Sequence, residues 1–356
     1  MTEALTTVAP PTSMRASVLV APKTVEVQEI PVPALESDQV LVEITAVGVC
    51  GSDTHFFLHG HIGDLVVDGP LVLGHESAGK IVAVGSAVDQ ARIGERVSIE
   101  PQKPCRVCSY CKEGQYNLCD NMEFYGAPPI HGAFSEYAVI QSDFAHTVPD
   151  HLSDAAAALI EPLSVAVWAC QKAGVSPGDR ILITGAGPIG VVTAQVARAF
   201  GALEIIVSDP VEQRRAVVAR HGATQTIDPL TEDVKTLAPV DIFLDASGSA
   251  PAIKSGIHTV RKGGRVVLVG MGLDNLELPV SVIQNREIEL TGIYRYANTW
   301  PLAIKLAASG AIDLDSLVTG KLGLDNVEEA LLKAGSDPTA LKTLVVPGLR
   351  TDDAGN

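Results

Sequence analysis

The run Gly185-Ala186-Gly187-Pro188-Ile189-Gly190 restricts this chain more than any other stretch, because three glycines spaced in this way fit few backbone settings. It follows the apolar segment Arg180 to Thr184 and precedes Val191 to Phe200, whose spacing suits a helix. A strand, a tight glycine turn and a helix start in that order form the phosphate-cradling unit of a dinucleotide-binding sheet. Gly185 permits the turn, Gly187 lets a pyrophosphate approach the backbone, and Gly190 lets the helix pack closely on the strand. Pro188 fits a helix start, where its missing N–H has no partner to lose. The alternative is an ordinary glycine-rich turn between strand and helix.

Ile205 to Ser208 reads as a second strand ending at Asp209, 19 residues after Gly190. A carboxylate there accepts hydrogen bonds from adenosine ribose hydroxyls and repels a 2'-phosphate, which favours NAD over NADP. Arg214 leaves three readings open: stacking on the adenine face, neutralising a phosphate, or lying on the surface without a ligand. Apolar runs at Asp241 to Leu244, Arg265 to Val269 and Ile288 to Gly292 continue the rhythm, so a parallel doubly wound sheet is expected.

The first half is organised differently. Ala16 to Val20, Gln39 to Val47, Gly79 to Val84, Arg96 to Ile99 and Ser135 to Val139 are short runs separated by Pro, Gly and Asp, the pattern of a β-rich, barrel-like domain. Ala155 to Gly174 reads as a helix that Pro162 kinks or restarts. Thr299 to Leu306 and Val327 to Lys333 read as helices returning to the first domain. Two domains are the default for 356 residues, and 46% hydrophobic against 19% charged residues gives both enough apolar material for a core. Aromatic residues at 4% with 32 glycines favour α/β sheets over a helical bundle.

A net charge of -16 disfavours nucleic acid as a partner. Residues 1–13 read as a flexible leader without the basic start and apolar stretch of a secretion signal. The longest apolar candidate for a membrane span, Ala155 to Cys170, is interrupted by Glu161-Pro162, so a cytoplasmic protein with no membrane partner is expected.

Four of the six cysteines fall at Cys105-x2-Cys108-x2-Cys111-x7-Cys119. Four thiolates so close can complete a tetrahedral zinc site with no open position, which makes it structural. An iron–sulfur cluster, free thiols and a zinc-ribbon module are the alternatives; the long last spacing, Asp120 after Cys119 and the acidic chain weigh against the first and third. Cys50, in Cys50-Gly51-Ser52-Asp53, and His75, in Gly74-His75-Glu76, are a soft and a borderline donor that suit a second, catalytic zinc with an open position. A buried thiol and an unrelated histidine are the other reading. Cys170 reads as a core residue on a helix. A zinc ion beside a dinucleotide loop is the pairing needed to polarise an alcohol while hydride leaves for nicotinamide.

These motifs, with Glu161-Pro162-Leu163-Ser164 and Tyr294-Arg295-Tyr296-Ala297-Asn298-Thr299-Trp300-Pro301, resemble the zinc-dependent medium-chain dehydrogenases, and within them the sorbitol (polyol) dehydrogenase branch. The likeness covers nearly all of the chain. It implies a β-rich GroES-like catalytic domain at 14–158 and 297–350, with a zinc lobe at 100–122, and a Rossmann cofactor domain at 159–296. It implies oxidation of a secondary hydroxyl of a polyol such as sorbitol, xylitol or arabitol to the ketose, with hydride passing to NAD. Relatives are commonly homotetramers. A butanediol, threonine or other secondary-alcohol dehydrogenase is the rival within the fold, and a non-catalytic dinucleotide-binding protein the rival outside it.

By the same resemblance, Cys50, His75 and Glu76 match catalytic zinc ligands, and Glu161 matches a carboxylate that contacts the zinc-bound water or substrate and in relatives can join the metal. Alcohol dehydrogenases of the superfamily carry a second cysteine at the Glu161 position. A carboxylate there hardens the site and favours hydroxyl-rich substrates; a helix-start carboxylate without that role is the alternative. Ser52 and His55 match a proton relay, although a plain loop histidine fits His55 as well. Arg295 and Tyr296 match substrate contacts. Ile189, Val269, Gly270, Met271, Ile293, Tyr294 and Arg295 fall at cofactor contacts. A substrate-contacting tyrosine of animal members falls at Phe56, and those members lack the cysteine lobe, which places this chain nearer the microbial polyol dehydrogenases. His59 and His61 read as pocket-rim or solvent residues.

Overall fold

A computed structural model describes residues 11–272 and 275–350, so most of the expected leader lies outside the described residues. In the first half, the strand Gln39–Gly48 is buried along almost its whole length, with Glu43 its one exposed residue. Both of its faces are therefore covered. It pairs antiparallel with Glu76–Val84 on one side and with Tyr137–Gln141 and Lys342–Val345 on the other, inside a seven-stranded sheet. Its apolar side chains meet Ile81, Val97, Ile99, Phe57 and Phe134 in one core. Fully burying a Val, Ile or Phe side chain contributes about 1.5–3 kcal/mol, so this cluster holds the irregular loops around it.

Lys342–Val345 comes from the far end of the chain, and so does the helix Val327–Ser336, whose Val327, Ala330 and Leu331 join the same core. The expected return of that helix to the first domain is what the structure contains. The helix Trp300–Ala308 differs. It packs chiefly on the helix Ile160–Ala173 and touches the first domain at its two ends, where the Trp300 indole donates to Ser98 Oγ at 3.1 Å and the Ala308 carbonyl meets His151 Nε2 at 3.1 Å.

The middle of the chain forms six parallel strands in the spatial order Gln225–Ile227, Glu204–Ser208, Arg180–Thr184, Val240–Asp245, Val260–Leu268 and Glu289–Gly292. This is the doubly wound order 3-2-1-4-5-6. Ile181, Leu182, Ile183, Ile205, Ile206 and Val207 are all fully buried, because helices cover both faces. Ile160–Ala173 and Pro188–Ala199 share one core with Ile181, Ile183, Ile205 and Val207, while Ile253 and Ile257 of Ala250–Thr259 pack on Leu182 and Ile206. Pro162 acts as expected. A helix Asp154–Ala158 ends, Leu159 breaks the run, and Ile160–Ala173 restarts with Pro162 in its first turn. That restart puts Glu161 at the head of a buried helix. Among the described residues no helix is long and apolar enough to cross a membrane.

Candidate active site

Cys50 stands at the N-terminus of the helix Gly51–His59, and Asp53 turns back on it. Asp53 Oδ2 accepts from the Cys50 N–H at 2.9 Å and Oδ1 from the Gly74 N–H at 3.0 Å, while His75 Nδ1 lies 3.4 Å from Oδ1. One fully buried carboxylate thus locks both donor-bearing segments together. Its engagement with Nδ1 leaves Nε2 of His75 for a metal, the usual division between the two ring nitrogens. Asp53 was quoted with the Cys50 motif but given no role from sequence.

Glu76 opens its strand opposite Gly48, where a Cβ would fall 2.1 Å from Glu76 Oε2. Lys342, 4% exposed, donates to Glu76 Oε1, to Oε2 at 2.6 Å and to the Val49 carbonyl at 3.1 Å. Burial alone pulls a lysine pKa down, but the Glu76 carboxylate outweighs it and holds Lys342 above its ordinary value. Lys342 was missed because its partner is 266 residues away; the only local signal was a charge heading an otherwise uncharged strand.

Cys50 Sγ, a His75 ring nitrogen and a Glu76 carboxylate oxygen all lie within 4.8 Å of one another. Zinc ligands at about 2.0–2.3 Å on tetrahedral corners stand roughly 3.3–3.8 Å apart, so a small closure suffices. A thiolate, an imidazole and a carboxylate suit zinc and leave one position open. The Cys105, Cys108, Cys111 and Cys119 sulfurs form a second group within 4.8 Å, with Cys105 and Cys111 4.0 Å apart. Backbone N–H groups point at the sulfurs, from Cys108 to Cys105 at 3.4 Å and from Cys105 to Cys119 at 3.3 Å. The Val107 and Cys108 N–H groups draw the Cys105 thiol down to about 6, toward the thiolate that binds metal. This lobe fits a closed structural zinc. Cys170 is fully buried on its helix, and burial holds its thiol protonated.

Glu161 stands outside the compact three-donor group. It is 5% exposed, its Oε1 accepts from the Tyr296 hydroxyl at 2.6 Å, and burial pushes its carboxyl up to about 7 against the opposing pull of His75. Tyr296 is itself fully buried, so its hydroxyl meets Glu161 rather than open solvent. The Arg295 guanidinium lies 3.9 Å from the centre of the Phe124 ring, and Phe124 leans on His75 at 5.4 Å between ring centres. Arg295 is thereby one aromatic ring away from a metal donor.

The glycine loop borders a cleft of about 820 Å³ at the carboxyl ends of the parallel strands, lined also by Ser208, Asp209, Arg214 and Ser247. Asp209 Oδ2 accepts from the Ala186 N–H at 2.7 Å and Oδ1 from the Val211 N–H at 2.8 Å. Each oxygen keeps a further lone pair for a ribose hydroxyl. Arg214 Nε bonds the Pro338 carbonyl at 3.2 Å and the side chain remains on the cleft wall. Val269 and Gly270 donate to the Asp245 carbonyl at 2.8 and 2.9 Å, and a Cβ at Gly270 would meet Gly248. Pro188 and Ile189 open the helix beside the loop, and Met271 is exposed beyond the strand ends. Ile293 bonds Leu268, and from there Tyr294 to Tyr296 lead to Glu161. Gly187 faces open space, the cradle a pyrophosphate needs.

Ser52 is half-buried and His55, three residues on along the helix, is exposed. His55 Nδ1 meets the His61 carbonyl at 3.0 Å; a carbonyl only accepts, so Nδ1 carries a proton, and in the neutral ring Nε2 is then the acceptor. The His55 and His59 rings are 4.6 Å apart at the rim, and both residues are exposed, as is His61. Phe56, expected beside substrate, is 4% exposed and packs in the barrel core with Phe57. Helix periodicity explains this, since Asp53, Phe56 and Phe57 share the inward face.

Comparison with known proteins gives one answer. The family model of the alcohol dehydrogenase GroES-like domain matches residues 36–150, and that of the zinc-binding dehydrogenases matches residues 188–309. A sorbitol dehydrogenase from Bacillus subtilis is 41% identical over 347 residues, covering 95% of this chain and 98% of its own length. D-xylulose reductase A from Aspergillus oryzae is 38% identical over 336 residues, 90% of this chain and 93% of its own. Among solved structures, L-idonate 5-dehydrogenase from Escherichia coli is similar with a TM-score of 0.89 at 31% identity, over 94% of this chain and 98% of that one.

Proposed function

The chain belongs to the zinc-dependent medium-chain dehydrogenase superfamily, in its sorbitol (polyol) dehydrogenase branch, and from that premise we propose that it oxidises a secondary hydroxyl of a sugar alcohol such as sorbitol, xylitol or arabitol to the ketose. The single observation that carries this reading is the buried Glu161–Tyr296 pair beside the Cys50, His75 and Glu76 donors. Domain limits of 14–158 with 297–350 and of 159–296 belong to the same reading. So do a cytoplasmic location and the ligand and contact roles of the individual residues.

Zinc, when bound, lowers the pKa of a hydroxyl, and NAD accepts the hydride from the carbon bearing it. Cys50, His75 and Glu76 would hold the catalytic ion, and the four lobe cysteines the structural one. Glu161, oriented by Tyr296, presents a carboxyl oxygen to a polyol hydroxyl. Arg295 offers guanidinium donors to hydroxyls further along the carbon chain, in a fixed fork that favours polyols over simple alcohols. The substrate proton passes to Ser52, and Nε2 of the neutral His55 ring gives it a way out to water. Asp209 selects NAD by accepting ribose hydroxyls and repelling a 2'-phosphate. A homotetramer belongs to the same reading by resemblance, and the strand Glu289–Gly292, which ends the parallel sheet with every residue exposed, offers an unpaired edge that would join two copies, one of the contacts such an assembly needs.

The test is a panel of polyols, diols and simple alcohols with NAD and with NADP, following the reduced cofactor by absorbance. Oxidation of polyols with NAD is expected. Activity on simple alcohols but on no polyol would overturn the reading.

A further inference from the structure

The segment 294–298 carries Arg295 and Tyr296, and its backbone is unusual. Arg295 and Asn298 have φ of 54° and 58°, left-handed values that a non-glycine residue adopts only at a cost of about 1–2 kcal/mol. Such a conformation persists only where its surroundings impose it. Here four hydrogen bonds do so, and all four come from the cysteine lobe or from the short strand leading into it. Asn117 Nδ2 donates to the Tyr294 carbonyl at 2.8 Å, and Gln102 Nε2 to the Tyr296 carbonyl at 3.0 Å. The Asn298 N–H donates to Tyr116 Oη at 2.8 Å, and Asn298 Nδ2 to the Gly114 carbonyl at 2.8 Å. Tyr116, Asn117 and Gly114 lie inside the cysteine run, between Cys111 and Cys119.

A buried carboxylate aims two of these partners, the Gln102 donor and the Tyr116 acceptor. Glu100, 2% exposed, accepts from Tyr116 Oη at 2.7 Å and from Gln102 Nε2 at 3.2 Å, while its other oxygen meets His146 Nε2 at 2.9 Å. The lobe also brings in Phe124, whose strand Glu123–Phe124 pairs with Gln102–Lys103 and whose ring carries the Arg295 guanidinium. Every attachment of the Arg295 segment on this side therefore depends on lobe geometry.

We propose that the four-cysteine lobe positions the substrate site: Tyr116 and Asn117 hold residues 294–298 in the strained form that sets Arg295 on Phe124 and keeps Tyr296 on Glu161. They are positioning residues, acting through the segment and not on substrate. The inference rests on reading Arg295 and Glu161 as polyol contacts. It gives the lobe a part in recognition besides its part in stability, and it implies that losing the lobe's shape loosens substrate binding before the protein unfolds.

The test uses the full-length, zinc-loaded enzyme with Tyr116→Phe and Asn117→Ala. Sorbitol KM and kcat are measured alongside the rate of tryptic cleavage after Arg295, mapped by mass spectrometry. Asn117→Ala removes one hydrogen bond and Tyr116→Phe removes two, one accepted from the Asn298 N–H and one donated to Glu100. Each is worth a few-fold in an equilibrium, so sorbitol KM rises about five- to tenfold with the larger share of the loss in KM rather than kcat. Cleavage after Arg295 accelerates several-fold, and zinc content stays at the wild-type value. If Asn117→Ala fails to fold, Tyr116→Phe, which deletes a single oxygen, decides the matter. A sorbitol KM unchanged in the folded variants overturns the proposal. A wild-type enzyme that oxidises no polyol overturns the functional reading instead. The cleavage rate then judges the positioning claim by itself, and an unchanged rate refutes it.

Discussion

Two glycines of one motif should fail in opposite ways when each is given a methyl group. A Cβ on Gly190 would stand 1.8 Å from the Gly185 carbonyl oxygen and 2.8 Å from its carbon, both backbone atoms that no rotamer can move. Loop and helix must separate by at least about 1.2 Å to restore a real contact, and overpacking of that kind costs roughly 1–3 kcal/mol. At about 2–4 °C of melting midpoint per kcal/mol, Gly190→Ala should melt several degrees early without cofactor. Gly187 has nothing within 4 Å of its would-be Cβ and an extended backbone, φ -72° and ψ -175°, that alanine adopts freely. Gly187→Ala should therefore melt with the wild type or slightly above it. Its methyl instead occupies the approach of the pyrophosphate to the helix N-terminus. Loss of one or two charge-assisted hydrogen bonds, about 1.5–3 kcal/mol each, weakens NADH binding by ten- to a hundredfold or more. Differential scanning calorimetry of the cofactor-free proteins and fluorescence titration with NADH give the two readouts. The reasoning fails if Gly187→Ala melts as early as Gly190→Ala, or if it binds NADH as tightly as the wild type.

Glu161→Ala should lower polyol turnover by about a hundredfold, the usual scale for a lost acid–base or orienting group, while the NADH dissociation constant moves less than twofold; unchanged turnover would remove Glu161 from the site. Lys342→Met leaves Glu76 buried without its counter-charge, which costs roughly 3–5 kcal/mol in zinc-free protein and clearly less once a cation sits on Glu76. Urea unfolding with and without a chelator measures both, and equal losses would show that lysine and metal do not share the carboxylate. His131 is exposed at its surface, but its Nδ1 accepts from the Val72 N–H at 3.1 Å, and partial desolvation of the ring holds its pKa below the ordinary histidine value. The unfolded chain therefore takes up that proton first, so this contribution is whole above about pH 6.5 and is lost as pH falls through the lower folded value. Melting midpoints between pH 5 and 7.5 should fall less steeply for His131→Asn than for the wild type, and matching slopes would sink the assignment.

Much of the fold was legible because it is written locally. Arg96–Ile99 and Arg180–Thr184 form strands with the bounds their apolar runs mark, since the punctuating Gly, Pro and Asp residues end the pairing where they end the pattern. The glycine loop was legible for the same reason, its three roles being backbone properties of neighbouring residues. The chemistry around the donors was not. Asp53, Lys342 and Glu100 act through partners 21, 266 and 16 residues distant, and periodicity carries no information about such pairs. Phe56 and Tyr296 were assigned to substrate by resemblance. Only the structure shows that one lies in the barrel core and the other spends its hydroxyl on Glu161.

Several of the places where local rules break share a neighbourhood, although Lys23, Arg106 and Glu287 hold left-handed backbone elsewhere. A lysine is buried, a carboxyl is pushed up to about 7, and two non-glycine residues hold left-handed backbone within four positions of each other. Each is unfavourable alone, and each is offset by a specific neighbour: Glu76 for Lys342, Tyr296 for Glu161, Tyr116 and Asn117 for the Arg295 segment. A chain selected for stability alone would replace such groups with apolar residues of similar volume, often at no cost. Their concentration around Cys50, His75 and Glu76 therefore marks the region where geometry is held against local preference, as functional sites characteristically are. The barrel, the returning C-terminal strand and the cysteine lobe supply that restraint from three directions. The division of labour follows: the glycine cleft is set by short-range sequence, whereas the hydroxyl-binding corner depends on long-range contacts. A substitution that disturbs the barrel or the lobe should thus impair polyol recognition before it impairs binding of the dinucleotide.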